Sequence, residues 1–252
     1  MDVLAPRTLD EALRLKAERP DALPIQGGTD VMVELNFDRA RPDALLNLNE
    51  VEELRGWSGT WLGAGLTYTE AMQTPFAALA EASRTVGGPQ IRNRGTIGGN
   101  LGTASPAGDA LPPLLVMNAQ VKVASVRGER VLPLAEFLVG PKRNALADDE
   151  LILGVSVDEN PGRQTFLKVG PRNAMVISVV SLALRVDGEL TASFGSAGPV
   201  PGVVRAPHDE ASSFPERVAE ASSPIDDVRG TAAYRRHALR VLTRRALERC
   251  LA

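Results

Sequence analysis

The sequence predicts an α+β protein in two regions, residues 1–160 and 161–252, and three observations carry that expectation. In the first region, short apolar runs alternate with capped helical segments. In the second, three strand-like runs come in succession and two helical stretches close the chain. Between them Asn160-Pro161-Gly162 is the clearest boundary signal, because each of its residues favours a turn. With 252 residues, 44% of them hydrophobic and 4% aromatic, the chain can bury one large or two ordinary cores without staples.

The elements follow in order. Thr8-Leu9-Asp10-Glu11 is a capping box, and Leu9, Ala12, Leu13 and Ala17 recur at helical spacing until Pro20 ends the run. Residues 22–26 read as a strand that breaks at Gly27-Gly28 and passes through Thr29-Asp30 into a helix-like start at 31–35. Residues 44–48 and 60–63 read as strands, Thr67-Tyr68-Thr69-Glu70 repeats the capping box, and 76–86 reads as a helix. Pro112-Pro113 allows a helical first turn into 114–117. Val121 and Val123 alternate with Lys122 and Ala124, then Arg127-Gly128-Glu129 turns the chain back through Val131 as a hairpin. Residues 151–157 read as a buried strand that closes the first region.

Beyond the boundary, strands over 165–169, 175–186 and 190–194, the last two joined at Asp187-Gly188-Glu189, predict a small antiparallel sheet. Residues 195–207 carry three glycines and three prolines and read as a long irregular loop. Helices follow over 214–221 and 232–251. On the latter, Ala238, Val241, Leu242 and Ala246 make a stripe against Arg235, Arg236, Arg240, Arg244 and Arg245, read as a solvated face or partner contact.

Residues 90–109 are the stretch around which the rest is arranged. Gly95, Gly98, Gly99 and Gly102 lie among Thr96, Asn100, Thr103 and Ser105, and Asp109 closes the segment. Such a backbone can turn N–H groups inward toward an anion such as a diphosphate, with small donors around it. The strand, glycine turn and helix start around Gly27-Gly28 make a second candidate cradle, because the first N–H groups of a helix have no partners of their own.

Other chemistries are excluded. Gly63-Ala64-Gly65 lacks the third glycine of a Rossmann fingerprint, and no Walker sequence occurs. A net charge of -3 with no cluster of basic and aromatic residues argues against nucleic acid. The single cysteine, Cys250, rules out an intramolecular disulfide framework or an iron-sulfur cluster ligated by this chain alone, and points to a reducing compartment. His208 and His237 show no metal-ligand spacing, no nucleophile elbow is present, and no catalytic side chain or metal site is assigned. The longest apolar run is interrupted by Ser178, Ser181 and Arg185, and the N-terminus lacks a signal pattern, so a soluble cytoplasmic protein is expected. A chain with anion cradles and few reactive side chains implies a bound cofactor that supplies the chemistry.

The two glycine segments, P-I-Q-G-G-T-D-V-M-V-E-L at 24–35 and Q-I-R-N-R-G-T-I-G-G-N-L-G-T-A-S-P-A-G-D at 90–109, resemble the flavin subunit of the molybdenum hydroxylases. That family includes xanthine dehydrogenase and carbon monoxide dehydrogenase. Further similarity covers Leu62-Gly63-Ala64-Gly65, residues 139–153, and Lys168-Val169-Gly170-Pro171-Arg172-Asn173-Ala174, so that it spans nearly the whole chain. The resemblance implies a p-cresol methylhydroxylase-type FAD-binding domain of two α/β lobes, with a C-terminal domain like that of the carbon monoxide dehydrogenase flavoprotein. It implies noncovalent FAD with its diphosphate between Gly27, Gly28, Thr29 and Asp30 on one side and Thr96, Gly98, Gly99, Asn100 and Thr103 on the other. Asp109 then meets a sugar or ribityl hydroxyl, Val31 and Ile152 pack near the isoalloxazine, and Lys168 reaches toward the ring.

The family further implies a middle-sized subunit between an iron-sulfur subunit and a molybdopterin subunit, the 2Fe-2S clusters and molybdenum cofactor residing only in those partners. Electrons then pass from the clusters to FAD and on to NAD+ or another acceptor. A standalone flavin reductase or oxidase of the same fold and a flavin-free interaction subunit are the alternatives.

Overall fold

The computed structural model describes all of residues 1–252, arranged around three principal sheets and a two-stranded ribbon. The strands β1 (Asp2–Leu4), β2 (Leu23–Ile25) and β3 (Ala44–Asn47) form a parallel sheet in the order β1-β3-β2. Helix α1 (Leu9–Glu18) connects the first two, capped as expected by Thr8, whose hydroxyl accepts from the Glu11 N–H at 3.2 Å. Pro24 is tolerated because β2 lies at the sheet edge. Helix α2 (Val31–Asn36) leaves β2 through the glycine turn and buries none of its residues fully.

The second sheet is antiparallel, in the order β4 (Trp57–Ser58), β5 (Trp61–Gly63), β10 (Leu151–Ser156), β6 (Gln120–Ser125), β7 (Gly128–Pro133). Between β5 and β6 run five helices: α3 (Tyr68–Ala71), α4 (Ala77–Thr85), α5 (Pro89–Arg92), α6 (Ile97–Thr103) and α7 (Leu111–Val116). The capping box of α3 is complete, with Glu70 N–H donating to the Thr67 hydroxyl at 3.2 Å and Thr67 N–H donating to the Glu70 carboxylate at 2.8 Å. Helix α8 (Leu134–Phe137) and the ribbon β8 (Leu138–Gly140) and β9 (Arg143–Asn144) link β7 to β10.

The third sheet holds β11 (Arg163–Val169), β12 (Val180–Val186), β13 (Glu189–Gly195) and β14 (Gly202–Pro207) in sequential antiparallel order. On one face, Leu182 and Leu184 join the core under α9 (Phe214–Glu220) and α10 (Ala232–Leu251). On the other, Phe166 and Ala183 join the core built by α4, α6 and α7. Adjacent residues of β12 thus point into different cores, which is why the strand reads as a continuous apolar run. Each fully buried leucine or isoleucine there contributes about 1.5–3 kcal/mol.

The α+β class and the small antiparallel sheet stand as expected, and four details differ. Residues 90–109 are less a loop than two short helices, because Pro89 opens α5 and Thr96 caps α6. The strand expected from Met175 begins only at Val180, since Met175 sits in the left-handed region at φ 50. The irregular loop expected over 195–207 ends in β14, whose hydrogen bonds come from antiparallel pairing with the preceding strand β13. Arg235, expected on a solvated face or at a partner contact, is buried: it donates to the Ser196 carbonyl at 2.5 Å and pairs with Asp227 at 2.5 Å. Near the boundary, Arg185 is buried and donates to Asp158 at 2.6 Å and to the Asn160 carbonyl at 2.9 Å, pinning the connection between the second and third sheets.

Candidate functional site

The structure brings the two glycine segments together. At the end of β2 the chain turns through Gly28, at φ 74, a conformation that glycine adopts without strain. A Cβ on Gly27 would stand 2.0 Å from the Arg94 carbonyl oxygen, so only glycine lets this turn abut the second segment. The contact is braced by Arg94, whose guanidinium donates to the Gln26 carbonyl and the Asn49 amide oxygen, both at 3.2 Å. Thr103 on α6 donates to the Asp30 carboxylate at 2.7 Å and closes the bridge.

The two segments differ in what they offer a ligand. The backbone N–H groups of Gly27, Gly28, Thr29, Asp30 and Val31 find no carbonyl acceptor in the protein. Five successive free donors at the mouth of a helix make an anion-binding concavity. The N–H groups of the second segment are already engaged: Ile97 donates to Leu66, Gly98 to Ala64 at 2.7 Å, Gly99 to the Thr96 hydroxyl at 3.0 Å, and Asn100 to the Thr96 carbonyl. Free N–H groups therefore lie in the Gly27 turn, while those expected at Gly98 and Gly99 are spent on bonds within the protein. Gly98 serves packing, since a Cβ there would meet Ala64 at 2.6 Å. Gly99 and Gly102 leave the outer face of α6 exposed and without side chains, open to close approach.

Behind that face lie two buried oxygens with no partner, Asn100 Oδ1 and Asp109 Oδ1. Leaving such atoms unpaired costs roughly 1–3 kcal/mol each, so they call for donors from outside the chain. The Asn100 amide packs against the residue preceding Asp109, since a Cβ on Gly108 would stand 2.5 Å from its nitrogen. Asp109 Oδ2 pairs with Lys168 Nζ at 2.5 Å, and that ammonium also donates to the Thr85 carbonyl at 3.3 Å. Both side chains are 8% exposed, so Lys168 is no surface lysine. Burial pushes the Asp109 carboxyl up to about 6 against the opposing pull of Lys168.

Val31, at the start of α2, is half-buried. Ile152 is half-buried on β10 beside the irregularity that ends at Gly154, and its Cδ1 would lie 3.8 Å from a Cβ on Gly102. Thr96 is spent on capping α6. Not among the site residues expected from the sequence is Tyr68, whose buried ring stands 3.0 Å from the place of a Cβ on Gly95. Its capping box was legible, but the direction of its ring was not. No three His, Cys, Asp or Glu side chains converge as a metal site, and no helix is long and apolar enough to cross a membrane.

A parallel and an antiparallel lobe meeting at a glycine turn with free N–H donors, backed by unpaired buried oxygens, make a site for an anionic ligand that brings hydrogen-bond donors of its own. The model of the FAD-binding domain of molybdopterin dehydrogenases matches residues 1–158. The nicotinate dehydrogenase FAD-subunit of Eubacterium barkeri is 38% identical over 204 residues, 74% of this chain and 69% of that protein. A putative xanthine dehydrogenase FAD-binding subunit of Escherichia coli is 28% identical over 276 residues, covering 97% and 94%. A carbon monoxide dehydrogenase from Hydrogenophaga pseudoflava superposes with a TM-score of 0.89 at 22% identity, over 100% of this chain and 97% of that one, a likeness of fold. The chain belongs to the FAD-binding domain family of the molybdopterin dehydrogenases, and is an FAD-binding oxidoreductase subunit of the molybdenum hydroxylase, xanthine dehydrogenase-like group.

Proposed function

We propose that this chain holds FAD noncovalently, with the diphosphate on the free N–H groups of Gly27 to Val31 and against the bare face of α6. The observation that carries this reading is the run of five donors without acceptors, held beside α6 by the Thr103–Asp30 bond. Backbone donors fit a diphosphate here because they stay neutral and fixed, so little order is lost when the anion arrives. Thr29 lies within this turn, and Thr96, Gly98 and Gly99 shape the opposite wall. Asn100 Oδ1 and Asp109 Oδ1 accept from cofactor hydroxyls, which satisfies both orphans. Val31 and Ile152 exclude water beside the ring system, and the pairing with Asp109 holds Lys168 in place there as a fixed cation.

Bound FAD supplies two-electron redox chemistry that no side chain of this polypeptide can supply. In this reading residues 1–160 carry the diphosphate and residues 161–252 contribute Lys168. The chain works in the cytoplasm between an iron-sulfur subunit and a molybdopterin subunit, receiving electrons from the former and handing them to NAD+ or another acceptor. The relatives' designation as subunits supports that arrangement. The test is titration of the purified chain with FAD, followed by visible absorption after gel filtration, and co-purification of the tagged chain from its native host. Retained FAD together with an iron-sulfur chain and a molybdenum chain is expected. A chain that retains no FAD overturns the site, and a chain that retains FAD but purifies alone overturns the assembly.

A further inference from the structure

Tyr68 occupies an unusual position for a tyrosine that has no other assigned role. It opens α3, where the Thr67–Glu70 capping box fixes its backbone, and its N–H donates to the Gly95 carbonyl at 3.0 Å. An antiparallel bridge between Thr67 and Thr96 further stitches it to the second glycine segment. Tyr68 is 6% exposed and its ring lies against that segment, where a Cβ on Gly95 would press on Cε2 at 3.0 Å.

Buried tyrosine hydroxyls normally find a partner. This one bonds to no group of the protein, although the ring packs under Gly95 in the second glycine segment. Its oxygen is also not sealed off, so the little surface the residue keeps includes the hydroxyl. A donor left free under the second glycine segment, beside the proposed anion site, has the arrangement of a group waiting for an acceptor from outside the chain.

We infer that Tyr68 is a cofactor-binding residue, whose hydroxyl donates a hydrogen bond to an oxygen of the FAD diphosphate–ribityl chain. Burial first, then Asp109 and Asp30, push the phenol well above the usual tyrosine range, so it stays a neutral donor at any working pH. The inference rests on the flavin reading of the site given above.

Tyr68→Phe removes the hydroxyl and keeps the ring, and Tyr68→His, which retains a donor on a smaller ring, serves as a second variant. The apo-chains are titrated with FAD by flavin fluorescence and melted with and without FAD. Tyr68→Phe is expected to bind FAD roughly tenfold more weakly, with an apo melting temperature equal to or above that of the wild type and a smaller rise on adding FAD. Tyr68→His is expected to recover part of the affinity. Binding by Tyr68→Phe within twofold of the wild type overturns the inference and leaves the site standing. A fall in apo stability that accounts for the whole loss of affinity also overturns it, since the hydroxyl is then structural. A wild-type chain that takes up no FAD overturns both.

Discussion

Replacing Gly27 by alanine adds one methyl group where the structure has no room. The new Cβ would stand 2.0 Å from the Arg94 carbonyl oxygen and 2.7 Å from its carbon, and both belong to backbone that cannot rotate away. Ordinary contact at such a pair needs about 3.4 Å, so the two glycine segments must part by about an ångström or more. The Thr103–Asp30 hydrogen bond, 2.7 Å long, spans that same gap and does not survive such a separation. Forced overpacking of this kind costs about 1–3 kcal/mol. For a chain of this size that is a fall of roughly 2–12 °C in melting temperature, read by circular dichroism. The parted wall also loses at least one hydrogen bond to a charged oxygen, so FAD affinity falls about tenfold or more in a fluorescence titration. A Gly27→Ala chain that melts with the wild type and binds FAD equally well refutes the close apposition of the two segments.

Gly102→Ala separates fit from stability. The added methyl meets only Ile152 Cδ1 at 3.8 Å, so the apo-chain gains about 0.5 kcal/mol or more from helix propensity while FAD binding weakens; unchanged binding would place the cofactor elsewhere. The Asp109 carboxyl, raised to about 6, makes the folded chain hold its proton more tightly than the unfolded one. That contribution, roughly 3 kcal/mol, is fully present below about pH 4 and lost as pH rises through about 6. Urea midpoints of the apo-chain across that window show the slope, and Asp109→Asn abolishes it. Arg235→Leu leaves the Ser196 carbonyl without its donor while Asp227 keeps Arg229, and costs about 1–3 kcal/mol in urea unfolding, whereas Arg236→Leu on the exposed face changes stability by less than about 0.5 kcal/mol.

Much of this architecture was legible because local chemistry wrote it. Thr8 and Thr67 cap the helices that follow them, and hydroxyl-to-N–H distances of 3.2 Å realise that pattern. The glycine segments announced a ligand site, yet which N–H groups remain free was not readable. Gly98 loses its donor to Ala64, a residue 34 positions earlier, and only the fold brings the two together. Strand β14 escaped notice because its pairing with β13 overrides the breakers around it. Arg235 and Lys168 each sat in a polar-looking pattern, and only tertiary partners, Asp227 and Asp109, decide that they are buried. Tyr68 lay inside a correctly read capping box, but a helix of four residues carries no periodicity that tells which way a side chain points.

Hydrogen exchange of the backbone amides, with and without FAD, bears most directly on the grip of Gly27 to Val31. In the apo-chain these five N–H groups have no acceptor and exchange fast, while those of Gly98 and Gly99 are already bonded. Saturating FAD is expected to slow exchange at Gly27 to Val31 by the largest factor in the chain. Bound FAD that leaves those five amides exchanging as fast as before would contradict the assignment of the diphosphate to this turn.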